Sequence, residues 1–480
     1  MPAAADWSLD PRVRSLFKYL PLPIKLPTPL RRGDPSTAER PLGDTRAVVT
    51  RLQTPADLAV CARLALHGAS VTVLDPLAAA ASLAELAILG VRHAPWTMDL
   101  ASVLANSAAR QDRRPLLLVH RLAATPAGAT AVNTATDELF QVGQAVASAP
   151  RNSRLLILAD APASDDVAGR LSLEAAHGCI RSLFKELGPS GSTCHLLRLD
   201  GASADAVAET VAFLVGPRGV FLTAWDVRLG PDIGRDSTWS GKVVLVTGAA
   251  RGIGASIAAR LAKAGATVWV NDVPQAEEAA RKTAERLGGN AFVVPADCSS
   301  DSGAKAIAKA LASGGRLDAV IHNAGITRDR TLKRLSLEQW RQVLSVDLAS
   351  MVRVQEAVQP LMTQGGSLVL MSSVMGVAGN FGQTNYTAAK AAVLELARIW
   401  AESQAAQGIR ANAIAPGFIL TEMTAHMPLF NKEMAKQLTA LLQPGLPEDV
   451  AELAAFLAGS ESRAITGQVL RCDGGMFLGA

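Results

Sequence analysis

Three side chains in the second half of the chain, Ser373, Tyr386 and Lys390, have the types and spacing needed to move a proton to or from an oxygen. Reducing a ketone takes a hydride on one face of the carbonyl carbon and a proton at its oxygen. A tyrosine hydroxyl can give that proton, but with an ordinary pKa near 10 it is a poor source of the anion that the reverse direction needs. Lys390 follows Tyr386 by one helical turn, so its ammonium lies on the same helix face, lowers that pKa and reaches towards a nicotinamide ribose. Ser373, at the end of the apolar run Ser367–Met371, would hold the substrate oxygen by a hydrogen bond. A Tyr-x-x-x-Lys spacing alone is common on ordinary helices; an upstream serine and a nucleotide loop give it chemical meaning.

That loop is present. After the apolar run Val243–Val246 comes Thr247-Gly248-Ala249-Ala250-Arg251-Gly252-Ile253-Gly254, leading into a helical pattern over Ala255–Ala264. Glycines at this spacing let the backbone turn tightly and approach a pyrophosphate, whose charge is met by the free N–H groups of the helix start. The next strand ends at Asp272, close to where a carboxylate accepts the ribose hydroxyls of an adenosine and repels a 2′-phosphate. The cofactor expected is therefore NADH, with NADPH as the alternative. Asp297 and Cys298 after a third strand, and Asn323, Ala324 and Gly325 after a fourth, fall at the sheet edge where a dinucleotide lies.

The elements that must position these groups read as two alternations of short apolar strands with Ala/Leu-rich helices. The first has strands at Ala47–Thr50, Ser70–Asp75, Leu116–His120, Arg154–Ala159, His195–Leu199 and Val220–Trp225. The second has them at Lys242–Val246, Thr267–Val270, Ala291–Pro295, Ala319–His322, Ser367–Met371, Ile409–Ile414 and Gln468–Arg471. The fold class expected is α/β, with two tandem doubly wound parallel sheets of Rossmann type, the first degenerate. The boundaries expected are a proline-rich arm over 1–44, a first domain over 45–228, a linker over 229–237 and a catalytic domain over 238–480. No glycine loop follows Ala47–Thr50, where Arg51-Leu52-Gln53-Thr54-Pro55 stands instead. The segment Leu173–Ile180 can be laid on Tyr386–Val393, which puts Leu173 and His177 where the second half has Tyr386 and Lys390. Chance likeness of two alanine-rich helices and an ancient duplication both remain open. The first domain is expected to be structural, so that 236–480 alone would carry the reaction.

Thr247–Gly254, Asn323-Ala324-Gly325, Ser373, Tyr386–Lys390 and Pro416-Gly417, in this order over about Ser237 to Ala480, resemble a short-chain dehydrogenase/reductase. Asn323–Asp329, Gly379–Tyr386, Ile465–Leu470 and Asp473-Gly474-Gly475 narrow the resemblance to beta-ketoacyl-ACP reductases. The extra first domain is similar to their high-molecular-weight branch, with its flavodoxin-like domain. The resemblance implies reduction of a 3-oxoacyl thioester carried by acyl carrier protein or CoA, with Tyr386 as proton donor. It adds Pro416, Gly417, Ile419 and Thr421 to the cofactor site and makes Phe381, Phe418, Met423, Met427, Leu429 and Phe430 part of a substrate lid. It also places Asp347 where the family has a fourth catalytic residue, an asparagine that supports a water behind the lysine. An ionised Asp347 would stabilise the Lys390 ammonium and weaken its pull on Tyr386. Arg328, Arg330, Lys333 and Arg334 suit an acidic carrier or the phosphates of CoA, and equally a solvated helix start.

Composition excludes several other classes. With 47 Lys+Arg against 43 Asp+Glu, the net charge of +4 gives no long-range field of the kind that nucleic-acid binders carry. No apolar run is long enough to span a bilayer, and the opening Met1–Trp7 builds no apolar signal core, so a cytoplasmic protein is expected. The 5 cysteines are widely spaced, with no CxxC and no metal-ligand pattern, so no metal is expected. The assembly expected is a homodimer, with a tetramer as the alternative. Two further functions fit the same residues: a dehydrogenase of 3-hydroxyacyl-CoA or another secondary alcohol, and a non-catalytic nucleotide sensor or scaffold, a class that usually lacks the Tyr/Lys pair.

Overall fold

The computed structural model of the chain describes residues 27–32, 40–75, 80–94, 113–122, 129–234, 238–425 and 427–477. Most of the proline-rich arm and positions 235–237 of the expected linker lie outside the described residues. The described residues fall into two units: those up to Asp232 together with Lys436–Gln443, and those of Ile233–Ala435 together with those from Pro444 on. The sequence reading places 436–443 in the catalytic domain.

The first unit carries β1 (Arg46–Thr50), β2 (Ser70–Leu74), β3 (Arg92–Ala94), β4 (Leu116–Arg121), β5 (Arg154–Asp160), β6 (Thr193–Leu199) and β7 (Trp225–Leu229). They form a parallel sheet in the order β3-β2-β1-β4-β5-β6-β7. The second unit carries β8 (Val243–Thr247), β9 (Thr267–Asp272), β10 (Ala291–Pro295), β11 (Leu317–His322), β12 (Met362–Met371), β13 (Arg410–Pro416) and β14 (Val469–Cys472). Its order, β10-β9-β8-β11-β12-β13-β14, repeats that of the first. Two doubly wound parallel sheets are thus present, as the alternation of patterns predicts. Central strands such as Leu116–Arg121 and Leu317–His322 are buried at every position, as strands covered on both faces must be.

Two strands differ from the sequence reading. The short, mostly exposed β3 carries too little apolar character to be recognised. The last strand of the first sheet starts at Trp225, where Val220–Trp225 was expected. Gly219 to Leu222 is a turn, and Ala224 takes φ +59°, which breaks the extended run before β7 begins.

The helix Val167–Leu187 joins β5 to β6 as Thr384–Ser403 joins β12 to β13, so the two segments that can be laid on each other hold the same place in identical sheet orders. Leu173 packs into the first core, and His177 Nδ1 stands 3.3 Å from Glu174 and 3.5 Å from Asp226. No helix of the described residues is long and apolar enough to cross a membrane, and among them no group of His, Cys, Asp or Glu could hold a metal ion.

Candidate active site

In the second unit, β8 lies between β9 and β11, so the crossovers on its two sides diverge and open a crevice beyond its C-terminal end, the usual ligand position in this topology. The glycine loop fills that turn. Gly248 takes φ +64°, and a Cβ there would stand 2.8 Å from Ala324 Cα, so no other residue fits. The loop is pinned from three strands. Thr247 Oγ1 accepts from Asn323 N (3.0 Å) and Ala324 N (3.1 Å), while Asn323 Nδ2 donates to the Thr247 and Gly248 carbonyls, both at 3.0 Å. Asn323 thus ties the glycine loop to the end of β11. Arg251, at the N-cap of the helix Gly252–Lys263, is exposed, and space beside Gly252 is open out to 4 Å.

Asp272 ends β9, and its carboxylate accepts from Ala250 N at 3.0 Å and Val273 N at 2.9 Å. Each oxygen keeps a further lone pair. Asp297 is turned to its own loop, accepting from Ser299 N and Oγ. Cys298 is buried, and burial pushes its thiol up to about 11, so it is an inert packing group. Pro416 ends β13. Gly417 N donates to Cys472 O, Ile419 is buried, and Thr421 N donates to Thr424 Oγ1 at 2.8 Å. A glycine cradle, a helix N-terminus and a rim carboxylate suit a dinucleotide.

The candidate catalytic side chains come from the end of β12, the helix Thr384–Ser403 and a π-helical turn. Ser373 follows β12 and caps the helix Val374–Ala378, its Oγ accepting from Met375 N at 3.1 Å. Ser372 Oγ donates to Lys390 O at 2.7 Å, and Lys390 Nζ donates to Met371 O at 3.0 Å, which binds the end of β12 to the catalytic helix. Tyr386 is half-buried, and Lys390 Nζ lies 5.6 Å from its ring centre.

Asp347 stands on the π-helical turn Ser345–Ala349, between Leu337–Leu344 and Ser350–Val358, and is fully buried. Such turns often mark functional positions because they redirect one side chain. Its Oδ1 accepts from Ile326 N at 2.8 Å, and its Oδ2 lies 3.1 Å from Lys390 Nζ. The two groups thus form a direct ion pair. Burial raises the Asp347 carboxyl above its ordinary range against the pull of Lys390. For Lys390, burial opposes the charge, but the Asp347 carboxylate and Tyr386 outweigh it and hold the ammonium above its ordinary value.

The sequence reading passed over several positioning groups. Asn385 is buried, accepts from Tyr386 N at 2.9 Å and donates to Arg328 O at 3.2 Å, tying the start of the catalytic helix to the segment after β11. Thr247 was seen only as part of a motif. Gly325 has a second role, since a Cβ there would stand 3.0 Å from Asp347 Oδ2 and 3.3 Å from Lys390 Nζ. Only the residue types adjoining the motifs could have pointed to these groups.

The first unit offers the opposite picture at the equivalent place. Beyond β1 stands Arg51 (φ +67°), bonded to Glu138 and to Arg121 O, while Arg121 pairs with Asp57 and Asp160. His120, 2.9 Å from Thr50 Oγ1, is held neutral, its pKa pushed down to about 3 by burial and by Arg51. Side-chain ion pairs take the room that a phosphate loop would use.

Comparison with known proteins gives the family. A family model described as enoyl-(acyl carrier protein) reductase matches residues 248–477. The 3-oxoacyl-[acyl-carrier-protein] reductase of Thermotoga maritima is 41% identical over 242 residues, which cover 50% of this chain and 98% of that protein. The enzyme of the same name from Synechocystis sp. is 40% identical over 243 residues, 49% of this chain and 97% of its own. One from Staphylococcus aureus is 38% identical over 242 residues, again with 98% of its length covered. The chain belongs to the short-chain dehydrogenase/reductase family. It is an oxidoreductase, and its family implies a nicotinamide cofactor.

Proposed function

We propose that the second unit reduces the ketone of a 3-oxoacyl thioester, carried by acyl carrier protein or CoA, to the 3-hydroxyacyl thioester, with NADH preferred to NADPH. The observation that carries this reading is the junction of Ser373, Tyr386 and Lys390 through the end of β12, beside a pinned glycine loop. The bound cofactor supplies the hydride. Because Ser373 Oγ already accepts from Met375 N, its O–H is left to donate to the substrate oxygen. Tyr386 gives the proton, and the buried Lys390 ammonium beside its ring stabilises the phenolate left behind. Asp347 keeps that ammonium charged and fixed, at the cost of part of its pull on the phenol.

The Asp272 carboxylate at the crevice rim supports NADH, since a 2′-phosphate would meet a negative charge. Exposed Arg328, Arg330, Lys333 and Arg334 support an acidic carrier, and exposed Leu332, Phe381 and Phe430 support an acyl chain beside them. We expect a homodimer, with exposed Ile399 on the catalytic helix as one apolar contact. Steady-state oxidation of NADH and NADPH with 3-oxoacyl-CoA substrates of short and long chain tests the reading. Turnover with NADH ahead of NADPH is expected. Cofactor binding without turnover of any ketone would favour a sensor instead.

A further inference from the structure

After β13 the chain makes a closed excursion. Leu420 N donates to Gly445 O and Gly445 N to Phe418 O, both at 2.9 Å, so its two ends are clamped together at the base. Its first part carries the short helix Glu422–Ala425, whose Glu422 carboxylate stands 3.8 Å from Arg251 of the glycine loop, and then the helix Leu429–Gln437. This part borders the cofactor crevice. The last part, Lys436–Gln443, belongs to the fold of the first unit.

There it is built in, not laid on. Ala440 is a member of the hydrophobic core that holds Leu173, Ile180, Phe184 and Leu187, and Thr439, Leu441 and Gln443 are fully buried. Gln443 Nε2 donates to Thr28 O at 3.0 Å, and Thr28 Oγ1 donates in turn to Pro189 O at 3.0 Å. Leu442 is held at φ +55°, a conformation that an L-residue keeps only when its neighbours dictate it. Gly188 lies so close that a Cβ would press on the Ala440 carbonyl and stand 2.7 Å from Ala440 Cβ. A segment this well specified serves as a fixed point for the chain that precedes it.

We propose that the first unit contributes to catalysis by anchoring the far end of the substrate loop, with Ala440 and Gln443 as positioning residues that act through the loop and never touch the reacting atoms. A structural first domain is thereby given a task, and 236–480 alone would lose the packing of 439–443. This rests on the reading of residues 420–435 as the cover of an acyl thioester site.

The test uses the full chain with Gly188→Ala, and Gln443→Ala as a second variant should the first fail to fold. Trypsin cleavage at Lys432 and Lys436 should accelerate while the melting transition stays cooperative. KM for a long-chain 3-oxoacyl-CoA should rise about tenfold while kcat for the Gly188→Ala enzyme stays within about twofold, the split expected when uniform substrate binding is lost. The NADH dissociation constant should not move. Unchanged cleavage in folded variants would overturn the anchor itself. Faster cleavage with unchanged KM would overturn its role in substrate binding. Wild-type protein that turns over no thioester would instead refute the reading of the reaction, and leave the cleavage result to judge the anchor.

Discussion

Lys390 Nζ and Asp347 Oδ2 stand 3.1 Å apart with both side chains buried, so the ammonium beside the Tyr386 ring has a carboxylate as its direct partner. An amide at 347 would hold the lysine by a hydrogen bond and leave its charge directed at Tyr386. The present pair fixes the lysine more firmly and weakens its field at the phenol.

Asp347→Asn should therefore leave kcat at neutral pH equal or raise it a few-fold. Burial alone lowers a lysine, so without the carboxylate Lys390 should lose its proton at lower pH, and the alkaline limb of the kcat profile should move down. The stability sign agrees: a raised lysine stabilises the fold fully below its ordinary value, and this is lost as pH rises through the folded value. Asp347→Asn removes that contribution, so the variant should be weakened at neutral pH, and the difference from wild type should shrink as pH rises through the folded value. The carboxyl that burial raises also disappears, and with it any acidic limb it causes. Losing one partner of a buried pair costs about 3–5 kcal/mol when nothing replaces it; the amide replaces part, so the melting temperature should fall without loss of the fold. An unchanged profile at unchanged rate would mean that the pair does not act on the proton donor.

Gly325→Ala probes the same pair from the opposite side. A methyl group 3.0 Å from Asp347 Oδ2 and 3.3 Å from Lys390 Nζ forces one of them to move. Misplacing a catalytic group by about 1 Å can cost on the order of 10²-fold, so kcat should fall at least tenfold while the protein still folds. A rate near wild type would show that the ammonium position is not critical.

Asp272→Ser should relax cofactor choice. The carboxylate also pins Ala250 N, so KM for NADH should rise as the repulsion of a 2′-phosphate is removed. A change of about tenfold in the ratio of kcat/KM for NADPH over NADH corresponds to about 1.4 kcal/mol. Wild-type enzyme that already prefers NADPH would show that Asp272 does not select the ribose.

Much of this was legible in the sequence because the signals are local. Val243–Thr247, the glycines after it and Asp272 report themselves through strand pattern and spacing, and the Tyr386–Lys390 step fixes one helix face. The buried runs Leu116–Arg121 and Arg154–Asp160 likewise announced the first sheet. What stayed hidden depends on partners distant in sequence. Asp347 could be placed by resemblance but its direct contact with Lys390 could not, because the π-helical turn that aims it has no pattern of its own. The entry of Ala440 into the core that holds Leu173, and the bond from Gln443 to Thr28 O, join residues more than 250 positions apart, and no periodicity signals them. The start of β7 was missed because Val220–Ala224 is as apolar as a strand yet turns.

The proton donor is the central claim, and Tyr386→Phe tests it most directly. The measurement is kcat for NADH oxidation with a 3-oxoacyl-CoA, together with the NADH dissociation constant. Loss of a general acid costs on the order of 10²–10⁴ in rate, so kcat should fall by that factor while NADH binding stays nearly unchanged. A phenylalanine variant that keeps more than about half of the wild-type kcat would contradict the account, since the proton would then come from another group.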